Sequence, residues 1–185
     1  MKKIFLLICI VASAAFIASC NNKKSNTAET AAAQSGEAEA DSTIYGTCGE
    51  GTSMNSLQLI GDKGDTLTFT LQDADGESDV QGGLLAGDRL AVVACKNQDG
   101  EMFAQKVINL TSLQGKWTSI DRAFTILDGG VVEGDKQEVK TYVDWRIMNG
   151  KLILTSDTFS VYSLGPDSLL LENDKGIYAY KRVMK

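Results

Sequence analysis

Three scarcities stand out in this chain of 185 residues, and two of them exclude a class of function. Histidine is absent, which removes the commonest general base and a common metal ligand. Proline occurs once, at Pro166, so the many turns depend on glycine, asparagine and aspartate. The four cysteines include no Cys-x-x-Cys pair, and we therefore expect neither a multi-cysteine metal site nor a redox dithiol.

Catalytic motifs are also lacking. The chain has no Gly-x-Ser-x-Gly elbow and no glycine-rich phosphate loop. The acidic run from Asp73 to Asp79 resembles part of a calcium loop, but an EF-hand would need glycine and glutamate where Ser78 and Leu84 stand. A solvated hairpin loop is the favoured interpretation. We expect no enzyme, metal or cofactor, although a Ser–Lys or two-carboxylate site assembled by folding stays open.

The first residues have the features of a secretory leader. Lys2 and Lys3 precede an apolar run over residues 4–16, which is shorter than the roughly 18–20 residues that a spanning helix needs. Ile17-Ala18-Ser19-Cys20 follows and resembles the bacterial lipobox, in which the cysteine takes a diacylglycerol and the leader is cut before it. This resemblance implies a lipoprotein signal peptide over residues 1–19 and an acylated (palmitate-type) Cys20.

The residues after Cys20 bear on location. Asn21 stands where an aspartate often signals inner-membrane retention in bacterial lipoproteins, so the resemblance implies the outer membrane. Lys23 and Lys24 stand in place of the acidic cluster that some surface-exposed lipoproteins carry, which favours the periplasmic face. An ordinary secretory leader with a chance cysteine is the alternative.

Processing would make the chain more acidic. The formal charge is −6, and loss of the leader lysines makes it −8 for the remaining 166 residues. Such a charge repels nucleic acid and argues against broad contact with anionic lipid. Membrane attachment is therefore expected through the lipid anchor, and no nucleic-acid partner is expected.

The cysteine count leaves one question open. Cys9 leaves with the leader and Cys20 is used for lipid, so Cys48 and Cys95 remain. Two cysteines in an oxidising compartment can form a disulfide, whereas separate buried thiols pack as small apolar side chains. The sequence does not decide, because it does not give the Cα separation of about 4.4–6.8 Å that a disulfide needs.

The middle of the chain changes from a tether to strands. Residues 20–43 contain no large apolar side chain, and we predict a disordered tether. From residue 44, apolar and polar residues alternate with the period of a β-strand. Five strands with a central glycine pair predict a small OB-like β-barrel over residues 44–111. The predicted strands are residues 56–60, 65–72, 80–85, 89–96 and 102–110.

A second set of eight short strands follows in residues 112–185. Asn149-Gly150 is its clearest hairpin signal. An up-and-down antiparallel barrel would remove the exposed strand edges, and a merger of both sets into one larger barrel is the alternative. The predicted strands are residues 115–120, 123–127, 131–133, 139–148, 151–155, 158–164, 168–172 and 176–182.

The second set opens with Leu113-Gln114-Gly115-Lys116-Trp117. This run resembles the Gly-x-Trp signature of lipocalins and of short lipocalin-like domains in bacterial envelope lipoproteins, and the likeness covers roughly residues 113–185. In lipocalins a basic residue near the end of the chain packs over the tryptophan and closes the barrel floor. The resemblance assigns Gly115, Trp117 and Arg182 to that floor. The predicted fold is all-β: a five-stranded OB-like barrel, then a short eight-stranded antiparallel lipocalin-like barrel.

These features favour a membrane-anchored periplasmic lipoprotein that acts as a non-enzymatic binding or scaffolding module. The sequence does not identify the partner, which is a protein, an envelope component or a small ligand. One alternative is a carrier of a small apolar ligand, which needs a barrel cavity of roughly 300 Å³ or more; a barrel this short is expected to be filled by its own side chains. Another alternative is an enzyme inhibitor, which needs a protruding loop such as residues 129–137.

Overall fold

The protein is all-β, as the alternating pattern predicts. The computed structural model describes residues 40–73, 76–134 and 141–183. Within one compact unit, Glu39–Lys185, the strands form two large sheets and a two-stranded ribbon. The two predicted strand sets are therefore separate sheets and do not merge into one larger barrel.

The strands of the first half are β1 (Ile44–Cys48), β2 (Ser56–Gly61), β3 (Thr66–Thr70), β4 (Gln72–Asp73), β5 (Gly76–Glu77), β6 (Asp79–Gln81), β7 (Arg89–Lys96) and β8 (Met102–Asn109). The first sheet has the order β3-β2-β1-β7-β8-β6, while β4 and β5 pair as the separate ribbon. A parallel contact between Thr70 and Phe103 joins β3 to β8. The five longer strands thereby close into a small OB-like barrel.

The strand predicted at residues 80–85 is mostly wrong. The structure has only the three-residue β6 there, followed by Gly82 and Gly83 with φ angles of 88° and 74°. A Cβ at Gly82 would lie 2.9 Å from side-chain atoms of Asn109, Ser112 and Leu164, so the chain turns where only glycine fits. The fifth barrel strand is instead β1, which the sequence analysis did not list.

A single helical turn, α1 (Leu110–Leu113), connects the two halves. Asn109 caps this turn by accepting a hydrogen bond from the Ser112 amide at 2.8 Å, and its Nδ2 donates to Asp88 at 2.6 Å. These contacts satisfy a polar side chain that is completely buried. The domain boundary predicted between residues 111 and 112 falls inside α1.

The second half contains β9 (Gly115–Thr118), β10 (Ala123–Ile126), β11 (Val132–Gly134), β12 (Trp145–Met148), β13 (Lys151–Leu154), β14 (Asp157–Leu164), β15 (Ser168–Asn173) and β16 (Gly176–Arg182). A short 3-10 turn, Asp128–Gly130, separates β10 from β11. All neighbours are antiparallel, in the order β11-β10-β9-β16-β15-β14-β13-β12. A bridge between Val131 and Asp144 nearly closes the ring, which gives the predicted eight-stranded lipocalin-like barrel.

One strand of this barrel is shorter than predicted. The alternation of residues 139–148 predicts a single long strand, but β12 begins only at Trp145. Residues 135–140 lie outside the described part of the chain, and Thr141–Val143 are not in a strand. The remaining strands agree with their predicted bounds to within about two residues.

Side chains fill the eight-stranded barrel. The ring of Phe124 packs edge-on against Tyr142 and Tyr180, with centroid distances of 5.7 and 5.0 Å. Every inward-facing large side chain is at most 8% exposed, as expected for a close-packed interior. These side chains are Trp117, Phe124, Ile126, Tyr142, Trp145, Ile147, Leu152, Leu154, Phe159, Val161, Leu164, Leu169, Leu171 and Tyr180.

The two sheets are joined by apolar and polar contacts. Ala91 and Ile108 of the first sheet belong to the same buried cluster as the barrel interior. The Tyr45 hydroxyl donates to the Ile147 carbonyl at 2.6 Å, and Lys106 Nζ donates to the Val161 carbonyl at 3.2 Å. Because a shared core resists sliding, the surfaces on both sides of the junction keep a defined geometry.

The turn between β12 and β13 holds the start of the described chain. Asn149 and Gly150 have φ angles of 48° and 72°, the left-handed pair that an Asn-Gly hairpin requires. The Asn149 side chain accepts from the Ser42 amide at 2.8 Å and donates to the Ala40 carbonyl at 3.2 Å, while its amide donates to Thr43 Oγ1 at 2.9 Å. We call these contacts the Asn149 clasp.

Candidate functional site: the groove between the two sheets

A groove of about 230 Å³ lies where the first sheet meets the turns of the second barrel. It is formed by five separate parts of the chain. Pockets often occur at such junctions, because two surfaces meet there at an angle. The groove is lined by Tyr45, Arg89, Leu110, Gln114, Asp128, Gly129, Gly130, Trp145, Arg146 and Ile147.

The floor of the groove is apolar and tightly packed. Trp145, Leu110 and Ile147 are each at most 8% exposed. The indole Nε1 of Trp145 donates to the Leu127 carbonyl at 2.7 Å, which fixes the ring. Gly130 has a φ of 81°, and a Cβ there would lie only 3.1 Å from the Trp145 carbonyl oxygen. Glycine therefore lets the Asp128–Gly130 turn pack directly against β12.

Two arginines with different surroundings stand at the rim. Arg89 donates to both carboxylate oxygens of Asp62, with Nη2 2.7 Å from Oδ2. This ion pair lowers the pKa of Asp62 and raises that of Arg89. Arg146 is exposed, and its side chain makes no hydrogen bond or ion pair with any other described residue. One guanidinium is thus occupied, and the other is available to a ligand.

Tyr45 contributes a fixed phenol beside these arginines. Its hydroxyl donates to the Ile147 carbonyl at 2.6 Å, and the ring packs on the shared core. Burial raises the pKa of the phenol above its ordinary value of 10.0, so Tyr45 is neutral near pH 7. It serves as a wall of the groove and as a link between the sheets, not as a proton acceptor.

The structure brings the three predicted barrel-floor residues together. Arg182 lies over the Trp117 ring, with its Cζ 4.2 Å from the ring centroid. Gly115 has a φ of 132°, and any Cβ there would collide with Arg182 Nη1. The pairing of Arg182 with Trp117 across β16 and β9 produces this stack.

Arg182 also binds backbone carbonyls at the barrel floor. Nη1 donates to Gln114 and Nε to Pro166, each at 2.6 Å, and Nη2 donates to Ser112. Burial among these neutral acceptors lowers the pKa of Arg182, but a guanidinium stays protonated in proteins. The cluster closes the barrel end and ties it to α1, which is a structural role.

Cys48 and Cys95 are separate free thiols. Cys48 is buried, with Sγ 3.4 Å from Thr52 Oγ1, while Cys95 is partly exposed. In the β1–β7 register Thr47 pairs with Arg89, which places Cys48 six to seven residues along β7 from Cys95. That separation is roughly 20 Å at the rise of a strand, far beyond the reach of a disulfide.

Other predicted features fall partly or wholly outside the described residues. The signal peptide, Cys20 and the tether up to residue 39 lie outside them, as does part of the loop 129–137. Of the acidic run 73–79, residues 74 and 75 lie outside, and the rest includes the ribbon of β4 and β5.

No group of three or more acidic or cysteine side chains in the described ranges is placed to hold a metal ion. No helix in those ranges is long and apolar enough to cross a membrane.

The sequence analysis missed the groove. Tyr45, Arg89 and Arg146 belong to three strands and carry no shared motif, so only the packing of the sheets reveals that they are neighbours. The site and fold define an all-β protein with a rigid groove between two small barrels. Comparison with known proteins adds no family: no family model, no curated protein and no solved structure matches the chain.

Proposed function

We propose that this protein is a membrane-anchored periplasmic lipoprotein of the outer membrane that serves as a non-enzymatic binding or scaffolding module. Its partner is a protein or another envelope component. The groove between the sheets is the proposed binding site. The observation that carries this proposal is the unpaired guanidinium of Arg146 beside an apolar, prearranged floor.

The filled barrel interior favours a surface site over an internal one. Carriage of a small apolar ligand needs a cavity inside the C-terminal barrel, but large side chains occupy that interior. The groove, by contrast, is open and needs no rearrangement before a partner enters. A rigid floor lowers the entropic cost of binding.

The chemistry of the groove fits an acidic group on an otherwise apolar segment. Arg146 offers planar donors that suit a carboxylate or phosphate. The exposed edge of the floor offers apolar contact, and the Gln114 side chain offers an amide. Asp128 on the same rim repels any second anion that a partner places beside it. This repulsion restricts the orientation in which the partner can bind.

A pair of charge-reversal variants tests the groove. Arg146→Glu reverses the groove charge, and Lys151→Glu makes the same change on the exposed start of β13, away from the groove lining. The wild-type chain and both variants would be cross-linked in intact cells, and the envelope components attached to each would be quantified. We expect that Arg146→Glu recovers at least tenfold less of one cross-linked envelope component than the wild type does. Lys151→Glu should recover the same amount of that component as the wild type. Equal recovery from all three chains would exclude the groove as the binding site.

The proposed anchor is tested separately at Cys20. Cys20→Ala should abolish labelling with a palmitate analogue and release the protein from the membrane fraction, because the acyl chains supply the attachment. Cys95→Ala is the matched control and should leave labelling unchanged. Continued labelling of the Cys20→Ala chain would overturn the lipoprotein assignment without affecting the groove.

A further inference from the structure

The turn between β12 and β13 contains the one Asn-Gly pair in the sequence, Asn149-Gly150. Asparagine is a chemically labile residue, because the backbone nitrogen of the next residue can attack its carboxamide. Glycine presents that nitrogen without a side chain to hinder the attack. Neither residue lines the groove, so the chemistry of this turn is independent of the function proposed above.

The reaction needs only this pair and water. The Gly150 nitrogen attacks Cγ of Asn149, and a new C–N bond closes a five-membered succinimide ring. The carboxamide nitrogen leaves as ammonia, with the proton that the Gly150 amide has lost. Water then opens the ring at either carbonyl, which gives aspartate or isoaspartate at position 149. One neutral carboxamide is thereby replaced by one carboxylate.

The Asn149 clasp holds the carboxamide in place. Oδ1 accepts from the Ser42 amide at 2.8 Å and from Ser42 Oγ at 2.9 Å, while Nδ2 donates to the Ala40 carbonyl at 3.2 Å. The Asn149 amide donates to Thr43 Oγ1 at 2.9 Å. Ring closure has to rotate Cγ and release Nδ2, and these contacts oppose both movements. The reaction therefore requires the clasp to open.

Packing protects the attacking nitrogen as well. Gly150 is buried, and a Cβ there would lie 3.0 Å from Lys106 Cδ and 3.4 Å from Val93 Cγ2. The turn thus rests directly on β7 and β8. Solvent can remove the Gly150 amide proton only when the turn lifts from these strands, which is a local opening of the kind that hydrogen exchange detects.

The product does not fit the clasp. A carboxylate has no donor, so its second oxygen would face the Ala40 carbonyl oxygen that Nδ2 now contacts. The Asp41 carboxylate is also close, with Oδ1 3.3 Å from the Asn149 amide nitrogen, and it repels a second negative charge. Isoaspartate in addition lengthens the backbone inside a two-residue hairpin loop.

We propose that Asn149 is a deamidation site gated by the clasp, and that its modification releases residues 40–43 irreversibly. The closed clasp keeps the carboxamide intact. Each opening exposes the Asn-Gly pair to ring closure, and the carboxylate that forms prevents the segment from docking again. The turn therefore records, as a covalent change, how often the chain before β1 has detached.

A clasp-weakened variant tests the gate. Ser42→Ala combined with Thr43→Val removes two clasp hydrogen bonds and keeps the shape of residue 43. The purified chains would be incubated at neutral pH, and deamidation at each asparagine would be followed by peptide mass spectrometry. We expect the double variant to deamidate at Asn149 at least about fivefold faster than the wild type. Equal rates at Asn149 in the two chains would overturn the gate.

Two controls show that the acceleration is local. Asn97 also lies in a hairpin turn but precedes a glutamine, and its rate should be the same in both chains. Ser53→Ala, which removes a hydrogen bond between the Ser53 and Ser56 hydroxyls, should leave the Asn149 rate unchanged. An equal acceleration at Asn97, or in Ser53→Ala, would attribute the effect to general destabilisation and contradict the proposal.

The irreversible step is tested on the modified chain itself. Anion exchange separates deamidated from fresh protein, because the modification adds a negative charge, and hydrogen exchange at the Ser42 amide is then compared. We expect exchange at least about tenfold faster in the deamidated chain, with unchanged protection in β2. Asn149→Asp carries the carboxylate on an unaltered backbone and should also exchange faster at Ser42. Wild-type protection of Ser42 in both chains would overturn the proposed release.

Discussion

Replacement of Arg182 by alanine should strongly destabilise the protein, although the side chain is only partly buried. The guanidinium binds three carbonyls and stacks on Trp117. It joins the end of β16 to α1 and to the turn before β15. Alanine removes all of these contacts together and leaves the carbonyl groups with water as their only substitute.

The size of the effect follows from these contacts. Hydrogen bonds to a charged group contribute about 1.5–3 kcal/mol each when buried, and the stack on the indole contributes ~0.5–2 kcal/mol. Partial exposure lets water replace much of the hydrogen bonding, so we expect Arg182→Ala to lower the free energy of unfolding by about 2–4 kcal/mol. Arg182→Lys keeps the charge but loses the planar donors, and should lose about half as much.

Urea unfolding monitored by tryptophan fluorescence measures this difference. Lys181→Ala is the matched control, because Lys181 is exposed on the outer face of the same strand and should change stability by less than about 0.5 kcal/mol. The loss in Arg182→Ala should be constant between pH 5 and 9, since the guanidinium does not titrate there. An effect of Arg182→Ala no larger than that of Lys181→Ala would refute the reasoning.

Three further outcomes are expected. Asn149→Ala should remove the side-chain contacts of the Asn149 clasp, lower the free energy of unfolding by about 1–2 kcal/mol and speed hydrogen exchange in the segment before β1. The ion pair with Arg89 lowers the pKa of Asp62. The stabilisation by this ion pair is therefore present above the ordinary pKa of about 4 and is lost as the pH falls through the lowered pKa. In urea unfolding, the stability of Asp62→Asn should depend less on acidic pH than that of the wild type. A thiol reagent should label Cys95 in the native protein and Cys48 only after unfolding, and equal native rates would contradict the burial of Cys48.

Local patterns account for much of the second barrel. The alternation in residues 151–155 and the Asn149-Gly150 turn predict a hairpin because each depends on neighbouring residues alone. The first sheet was harder to predict from sequence. Residues 80–85 suggest a strand interrupted by glycine, but Gly82 packs too closely against Asn109 for a strand to continue.

The barrel floor and the groove differ in the same way in how far the sequence predicts them. The Gly-x-Trp run and a late basic residue pointed to the barrel floor through their resemblance to lipocalins, and the structure brings these residues together. The groove has no such signature: Tyr45 and Arg146 are distant in sequence, and Arg146 looks like any exposed charge on a strand. Only the structure shows that Arg89 is paired with Asp62.

The sequence by itself determined the all-β class, the two strand sets and their turns, since side-chain alternation and glycine turns act over a few residues. Tertiary structure decided what distant contacts control: the closure of β3 on β8, the separation of Cys48 from Cys95, and the shared core that joins the sheets. It also decided that the Arg146 guanidinium faces open space in the groove. These arrangements follow from packing between remote segments, which no local pattern encodes.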